Sequence, residues 1–322
     1  MKRFVLTIFA VLLFALAAGA TPCGAVQPAH SLAPADGTEF DQTPVFWKDG
    51  TGRSTLTYFS DGLKVKAYVY RSKADGPLPL VIFNHGGVSG VPEKTDERCR
   101  ELAGLGYVVI APFFRGEDGS EGEVEVALGE VTDVLAALSW AERTLKDEIV
   151  QGRTAMAGTS HGALISMLAA ARDNRIKAVV SAYGVMNIDL WYRYLVAADM
   201  LGEDELTKRA YGGGPEINPE LFKPRNVWLQ AEKIDCPVLI IQGAQDTIVP
   251  PSQAWVIYKR LKGLNRDVTY DGPYPNSGHG MLFRWDEEKY GPEQIEECAE
   301  AWESLVVFLD KHLKVKSDDG AH

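Results

Sequence analysis

Hydrophobic and polar positions along this chain follow first one period and then another. LTYFSDGLKVKAYVYRS, residues 56–72, alternates apolar and polar positions on either side of Ser60-Asp61-Gly62. That alternation predicts two antiparallel strands, and Asp-Gly supplies the positive φ angles that a tight hairpin turn needs. Beyond it, the runs LPLVIF, GYVVIAPFF, TAMAG, KAVVSAYG, PVLIIQG and DVTY are mostly apolar, and stretches of helical spacing lie between them near 93–105, 124–147, 161–172 and 251–263. A closing helix is expected over about 292–313. Strands that read as nearly unbroken apolar runs are covered on both faces. The expectation is therefore an α/β fold: a mostly parallel central sheet with helices on both faces and an antiparallel hairpin at its N-terminal side.

One connection breaks the alternation. About fifty residues separate Gly184 from Cys236, after the sixth expected strand, and they carry Trp191, Tyr192, Tyr194, Trp228 and the run Gly212-Gly213-Gly214. An insertion over 185–235 suits a lid over a site, with a packed helical decoration as the plainer alternative. Its aromatics Trp191, Tyr192 and Tyr194 are candidate substrate-binding residues.

The ends of the chain read differently. Lys2 and Arg3 precede an apolar run from Phe4 to Ala18, and Ala18-Gly19-Ala20 follows. Charge, apolar run and small residues in that order predict a cleavable signal peptide over 1–20, cut after Ala20 or Ala25, and an exported protein, periplasmic or secreted. An uncleaved membrane anchor is the rival, because the run is near the shortest that spans a bilayer. Cys23 follows Pro22 where a lipoprotein would have a small residue. Residues 21–45, rich in Ala, Pro and small polar residues, are expected to form a flexible leader, 46–316 a single domain, and 317–322 a disordered tail.

Charge narrows the partners. The 322 residues carry a formal net charge of −11, and no Lys/Arg cluster is interleaved with aromatics, so nucleic acid is excluded as a partner. No stable membrane partner is expected once the signal is removed, and a small molecule or short peptide is the expected substrate. Three of the four cysteines, Cys99, Cys236 and Cys298, remain after cleavage at Ala25, so at least one stays unpaired. Cys99 and Cys298 lie on apolar helical faces, which favours burial over a bridge between them.

Candidate chemistry begins at RTAMAGTSHGALISMLAAAR, from Arg153. Gly158-Thr159-Ser160-His161-Gly162 stands where an apolar strand passes into an apolar helix. That spacing presents Ser160 on a sharp turn as a nucleophile, although serine is also an ordinary helix cap. A nucleophilic serine needs a base and an acid to orient it, both at strand tips on the same edge of the sheet. Asp246 follows PVLIIQG, and His279 lies in Asn276-Ser277-Gly278-His279-Gly280, before the closing helix. Asp271 is the rival acid, but it shares the connection that carries His279. An oxyanion hole needs backbone N–H donors. Asn84-His85-Gly86-Gly87 follows a strand, which points to the N–H of His161 and that of Gly87 or Val88. No HExxH and no paired CxxC occur, so no metal or cofactor is expected.

These segments, YFSDGLKVKAYVYRS, PLVIFNHGG, GTSHG, AQDTIVP and NSGHG, resemble the catalytic domain of the prolyl oligopeptidase family of serine hydrolases, over roughly residues 50–314. They are similar, less closely, to dienelactone hydrolases and related esterases, with serine in place of the dienelactone hydrolases' cysteine. The resemblance implies the α/β-hydrolase fold, with Ser160 as nucleophile, Asp246 as orienting acid and His279 as general base. It implies an exported serine hydrolase cleaving a peptide or ester bond through an acyl-enzyme. A carboxylesterase, dienelactone hydrolase-like or acting on polysaccharide acyl groups, is the alternative, because the β-propeller of the family's large peptidases finds no room in this length. A non-catalytic binding protein on the same fold is the distant third. RGEDGSEGEVEVALGE resembles the family's Arg-Gly loop, and its Glu117, Asp118, Glu121, Glu123 and Glu125 are expected to be solvated charge rather than a cation site.

Overall fold

The computed structural model describes residues 35–314 and contains a ten-stranded sheet. At one edge β1 (Glu39–Gln42) and β2 (Phe46–Lys48) both pair antiparallel with β3 (Thr51–Ser60), which turns back into β4 (Leu63–Ser72). Ser60 pairs with Leu63, and Asp61 and Gly62 have φ of 49° and 77°, so the expected hairpin forms as a two-residue turn with both central residues left-handed.

Alternation then sets in. β5 (Leu78–Asn84), α1 (Glu93–Gly104), β6 (Val108–Pro112), α2 (Gly129–Thr144), β7 (Ile149–Thr159), α3 (His161–Ala170) and β8 (Ile176–Ala182) follow in order. The insertion supplies α4 (Ile188–Ala197), α5 (Glu205–Tyr211), α6 (Pro219–Phe222) and α7 (Val227–Gln230). β9 (Val238–Gly243), α8 (Ser252–Gly263), β10 (Val268–Tyr274) and α9 (Pro292–Leu313) complete the order.

The sheet runs β1-β3-β4-β6-β5-β7-β8-β9-β10, with β4 antiparallel to β6 and every pair from β6 to β10 parallel. From β5 the chain crosses to β6 on one side and then to β7 on the other. The reversal leaves a crevice at the carboxyl ends of β5 and β7, where open α/β sheets place their ligands. Apolar packing fills both faces, as the unbroken runs require. Trp140 of α2 and Met167 and Leu168 of α3 share one core with Ile82, Met156 and Ile240, while Leu102 of α1 and Leu305 and Leu309 of α9 share the other with Val81, Phe83 and Ile241.

Three boundaries differ from expectation. Residues 39–42 belong to the sheet, not to a flexible leader: Phe40 packs edge-on against Phe59, and Trp140 donates from Nε1 to Glu39 Oε2 at 2.9 Å, so the segment gains partners from distant residues. Helix α2 starts at Gly129, not near 124, because the Glu130 carboxylate accepts the N–H groups of Glu125, Val126 and Leu128 and winds that stretch into a loop. With β1 and β2 counted, the insertion follows the eighth strand rather than the sixth. The signal peptide, residues 21–34 of the leader and the tail at 317–322 lie outside the described residues.

Candidate active site

Ser160 directly follows β7 and holds the N-cap position of α3 with φ 53° and ψ −117°, a conformation that residues other than glycine rarely adopt. Its N–H donates to Ala182 O of β8 at 2.9 Å, which helps to hold the turn. The flanking glycines are there for space: a Cβ on Gly158 would stand 2.2 Å from Gly162 O, and one on Gly162 would stand 2.1 Å from Asn84 O. Helix, nucleophile strand and β5 therefore approach closer than any side chain allows.

His279 reaches the serine from the opposite side of the crevice. Its Nε2 lies 3.0 Å from Ser160 Oγ, and its Nδ1 lies 2.9 Å from Asp246 Oδ2. Asp246 is buried, just past β9, and has no spare acceptor capacity to misdirect it: Oδ1 takes the N–H groups of Ile248 and Val249 at 2.9 and 2.8 Å, and Oδ2 also faces Gln242 Nε2 at 3.3 Å. A carboxylate so held keeps Nδ1–H facing it and leaves Nε2 free to accept the serine proton. The His279 loop is braced from three directions. Glu297 of α9 accepts both the N–H and the side-chain amide of Asn276, Arg284 donates to His279 O at 2.8 Å, and the Tyr183 ring packs edge-on to the imidazole at 5.0 Å. The rival acid is occupied elsewhere, since Asp271 Oδ2 accepts the Tyr274 hydroxyl at 2.8 Å.

Facing this side is the loop after β5. His161 opens α3, and among the described residues its N–H, like those of Gly87 and Val88, has no hydrogen-bond acceptor. Two imidazoles fix the neighbouring peptides: His85 Nδ1 lies 3.0 Å from Gly86 O, and His161 Nδ1 lies 3.0 Å from Gly87 O. A carbonyl only accepts, so both Nδ1 atoms carry hydrogen. Because a trans peptide sets C=O and N–H on opposite sides, the N–H of Gly87 points away from His85 and that of Val88 away from His161. The strand tips thus bring together Ser160, His279, Asp246, His161 and the Gly86–Val88 loop. Such a constellation suits nucleophilic attack on a carbonyl.

The candidate substrate residues have other contacts. Trp191 Nε1 donates to Ile248 O at 3.2 Å and Tyr194 Oη to Thr247 O at 2.6 Å, so α4 is tied to the loop that carries Asp246. Tyr192 packs against Tyr211 and Phe222 within the insertion. Cys99 and Cys298 are buried free thiols, and Cys298 Sγ accepts the Arg284 N–H at 3.3 Å.

The Arg-Gly loop departs from expectation at one residue. Asp118, Glu121 and Glu123 are exposed, but Glu117 is fully buried against the oxyanion loop, accepting the Gly90 N–H at 2.6 Å. Burial, reinforced by Glu130, Asp133 and Asp118 and opposed by that N–H, pushes its carboxyl up to about 8. Arg115 is also buried and pairs with Asp133, Asp61 and Glu125. Sequence reasoning missed Glu117 because five acids within nine residues read as a solvated run; its position directly after Arg115-Gly116, just past a buried strand, is the signal that separates it.

Known proteins place these features in a family. The prolyl oligopeptidase family model matches residues 94–304. An uncharacterized peptidase of Bacillus subtilis is 29% identical over 215 residues, covering 66% of this chain and 81% of that protein. A Salmonella typhimurium protein provisionally named carboxymethylenebutenolidase is 29% identical over 307 residues, covering 90% and 96%. Among solved structures, the acylaminoacyl peptidase of Pyrococcus horikoshii superposes with TM-score 0.70 at 20% identity, over 85% of this chain and 43% of that one. That likeness carries the α/β-hydrolase architecture. With a family match over more than half its length and the fold to go with it, the chain belongs to the prolyl oligopeptidase family of hydrolases.

Proposed function

We propose that this chain is an exported serine hydrolase that cleaves a peptide or ester bond through an acyl-enzyme, with Ser160, His279 and Asp246 as its triad. One observation carries the reading: a single imidazole stands 3.0 Å from the hydroxyl of a serine on a strained backbone turn and 2.9 Å from a buried, fully bonded carboxylate. In this account His279 Nε2 takes the Ser160 proton as Oγ attacks the carbonyl carbon. The oxyanion is received by the N–H of His161 and that of Gly87 or Val88. His279 then gives its proton to the departing amine or alcohol, and water repeats the sequence to release the acid. Asp246 accepts from Nδ1–H throughout. Trp191, Tyr192 and Tyr194 are proposed to border the substrate from α4.

The peptidase form of this reading rests on the family and on the Bacillus subtilis relative. The carboxylesterase form is favoured by the Salmonella typhimurium relative, whose likeness extends over 96% of its own length. Export rests on the charge and apolar order of residues 1–20. Parallel panels of p-nitrophenyl esters and peptide p-nitroanilides, each with Ser160→Ala as control, test the reading. Serine-dependent turnover of one panel is expected, and turnover that survives in Ser160→Ala on both would refute it.

A further inference from the structure

Behind the oxyanion loop lies a second histidine–carboxylate pair that the triad does not use. The side chains of His85 and Glu117 are wholly buried, and His85 Nε2 stands 3.5 Å from Glu117 Oε2. They come from different parts of the chain, His85 after β5 and Glu117 after β6. Each is fixed on its far side. His85 Nδ1 donates to Gly86 O at 3.0 Å and its ring stacks on Phe114 with centroids 4.4 Å apart, while Glu117 Oε2 accepts the Gly90 N–H. His85 Nε2 and Glu117 Oε1 have no hydrogen-bond partner of ordinary length among the described residues.

With its hydrogen on Nδ1, a neutral imidazole turns a lone pair toward Glu117. A lone pair facing an ionised carboxylate in a sealed space is repelled, so a proton belongs between Nε2 and Oε2. We propose that Glu117 is protonated and directs its O–H toward His85 Nε2, so that His85 keeps its Nδ1 hydrogen on Gly86 O and holds the Gly86–Gly87 peptide with its N–H turned toward the oxyanion. Glu117 is then a positioning residue, and the proposal rests on the hydrolase reading above.

The surrounding charges favour this proton state. Glu130 and Asp133 of α2 and the adjacent Asp118 face Glu117, His161 of α3 faces His85, and Arg115 is committed to Asp133, Asp61 and Glu125. Burial and those acids push Glu117 up to about 8, and burial holds His85 down to about 4, so at neutral pH the proton stays on the carboxyl. As pH rises through about 8 the carboxyl ionises. The imidazole hydrogen is then better placed on Nε2, and the Gly86 carbonyl loses its donor.

The test follows hydrolysis of p-nitrophenyl acetate by the full chain from about pH 6 to 10, with the spontaneous rate subtracted. Wild-type kcat should fall as pH passes about 8, with KM little changed. Glu117→Leu fills the space with no proton to give, and at pH 7 it should lower kcat by about 10- to 100-fold at unchanged KM. Glu117→Gln keeps a donor for Nε2 that does not ionise but, because both contacts meet the same oxygen, gives up the Gly90 contact, so it should recover part of that kcat and flatten the alkaline fall. The proposal is overturned if Glu117→Leu keeps wild-type kcat, if Glu117→Gln is as slow as Glu117→Leu, or if the alkaline fall persists in Glu117→Gln. Melting curves identify a Glu117→Leu chain that fails to fold, in which case the wild-type and Glu117→Gln profiles decide. A wild type that neither hydrolyses the ester nor is labelled at Ser160 removes the hydrolase reading instead.

Discussion

The strand tips and the insertion meet beside Asp246 but are held by different means. At the tips, each functional group rises from a buried parallel strand or from a loop whose hydrogen bonds are nearly all internal: Asp246 accepts from Ile248, Val249 and Gln242, and the His279 loop is braced by Glu297 and Arg284. The insertion holds four α-helices of ten, seven, four and four residues and two three-residue 3-10 turns. Side chains of Asn187, Asp204 and Asn226 cap three of them, and Leu190, Val196, Met200 and Ile217 are left exposed. Helices this short draw little stability from their own hydrogen bonds and depend on packing. The difference separates two tasks. The candidate site lies where the backbone has one conformation, and the insertion beside it where local opening costs least.

The contrast is broken most severely at the tips. Ser160→Ala should lower kcat by on the order of 10³ to 10⁶, measured on whichever substrate panel the wild type turns over, because a concerted unit fails when one member is lost. Asp246→Asn should cost up to about 10⁴, since an amide in that position favours the wrong imidazole tautomer. Crossing into the insertion the effect shrinks. Trp191→Phe keeps an aromatic ring of smaller size but removes the donor to Ile248 O, and loosening the acid's loop should lower kcat about fivefold, the equivalent of one hydrogen bond. If Trp191 also borders the substrate, as proposed, the ranking of substrates should change as well, and an unchanged ranking would limit the indole to bracing the loop. Asp271→Asn should stay within about twofold of wild type, because its carboxylate serves Tyr274 and not His279.

What could be read in advance follows the same division. The hairpin at Asp61-Gly62 and the start of α3 after Ser160 were legible because local turn chemistry and periodicity decide them. That Asp246 and His279 come together with Ser160 was legible because a nucleophilic reading of the serine asks for both partners at the same sheet edge, and few residues lie there. β1 was not, since the four residues EFDQ carry no alternation strong enough to stand apart from a leader, and their partners Phe59 and Trp140 are distant in sequence. The late start of α2 was hidden for a related reason: the Glu130 side chain captures N–H groups that a helix would otherwise contain. Glu117 was misread because its burial depends on Gly90 and α2, which no local window includes.

Covalent labelling reads most directly whether Ser160 is an activated nucleophile. Treated with a fluorophosphonate at neutral pH, the wild-type protein should gain the mass of one adduct, carried by the peptide that contains Ser160. Asp246→Asn should label far more slowly and Ser160→Ala not at all. Undiminished labelling of Ser160→Ala, or an adduct on another residue of the wild type, would contradict that reading.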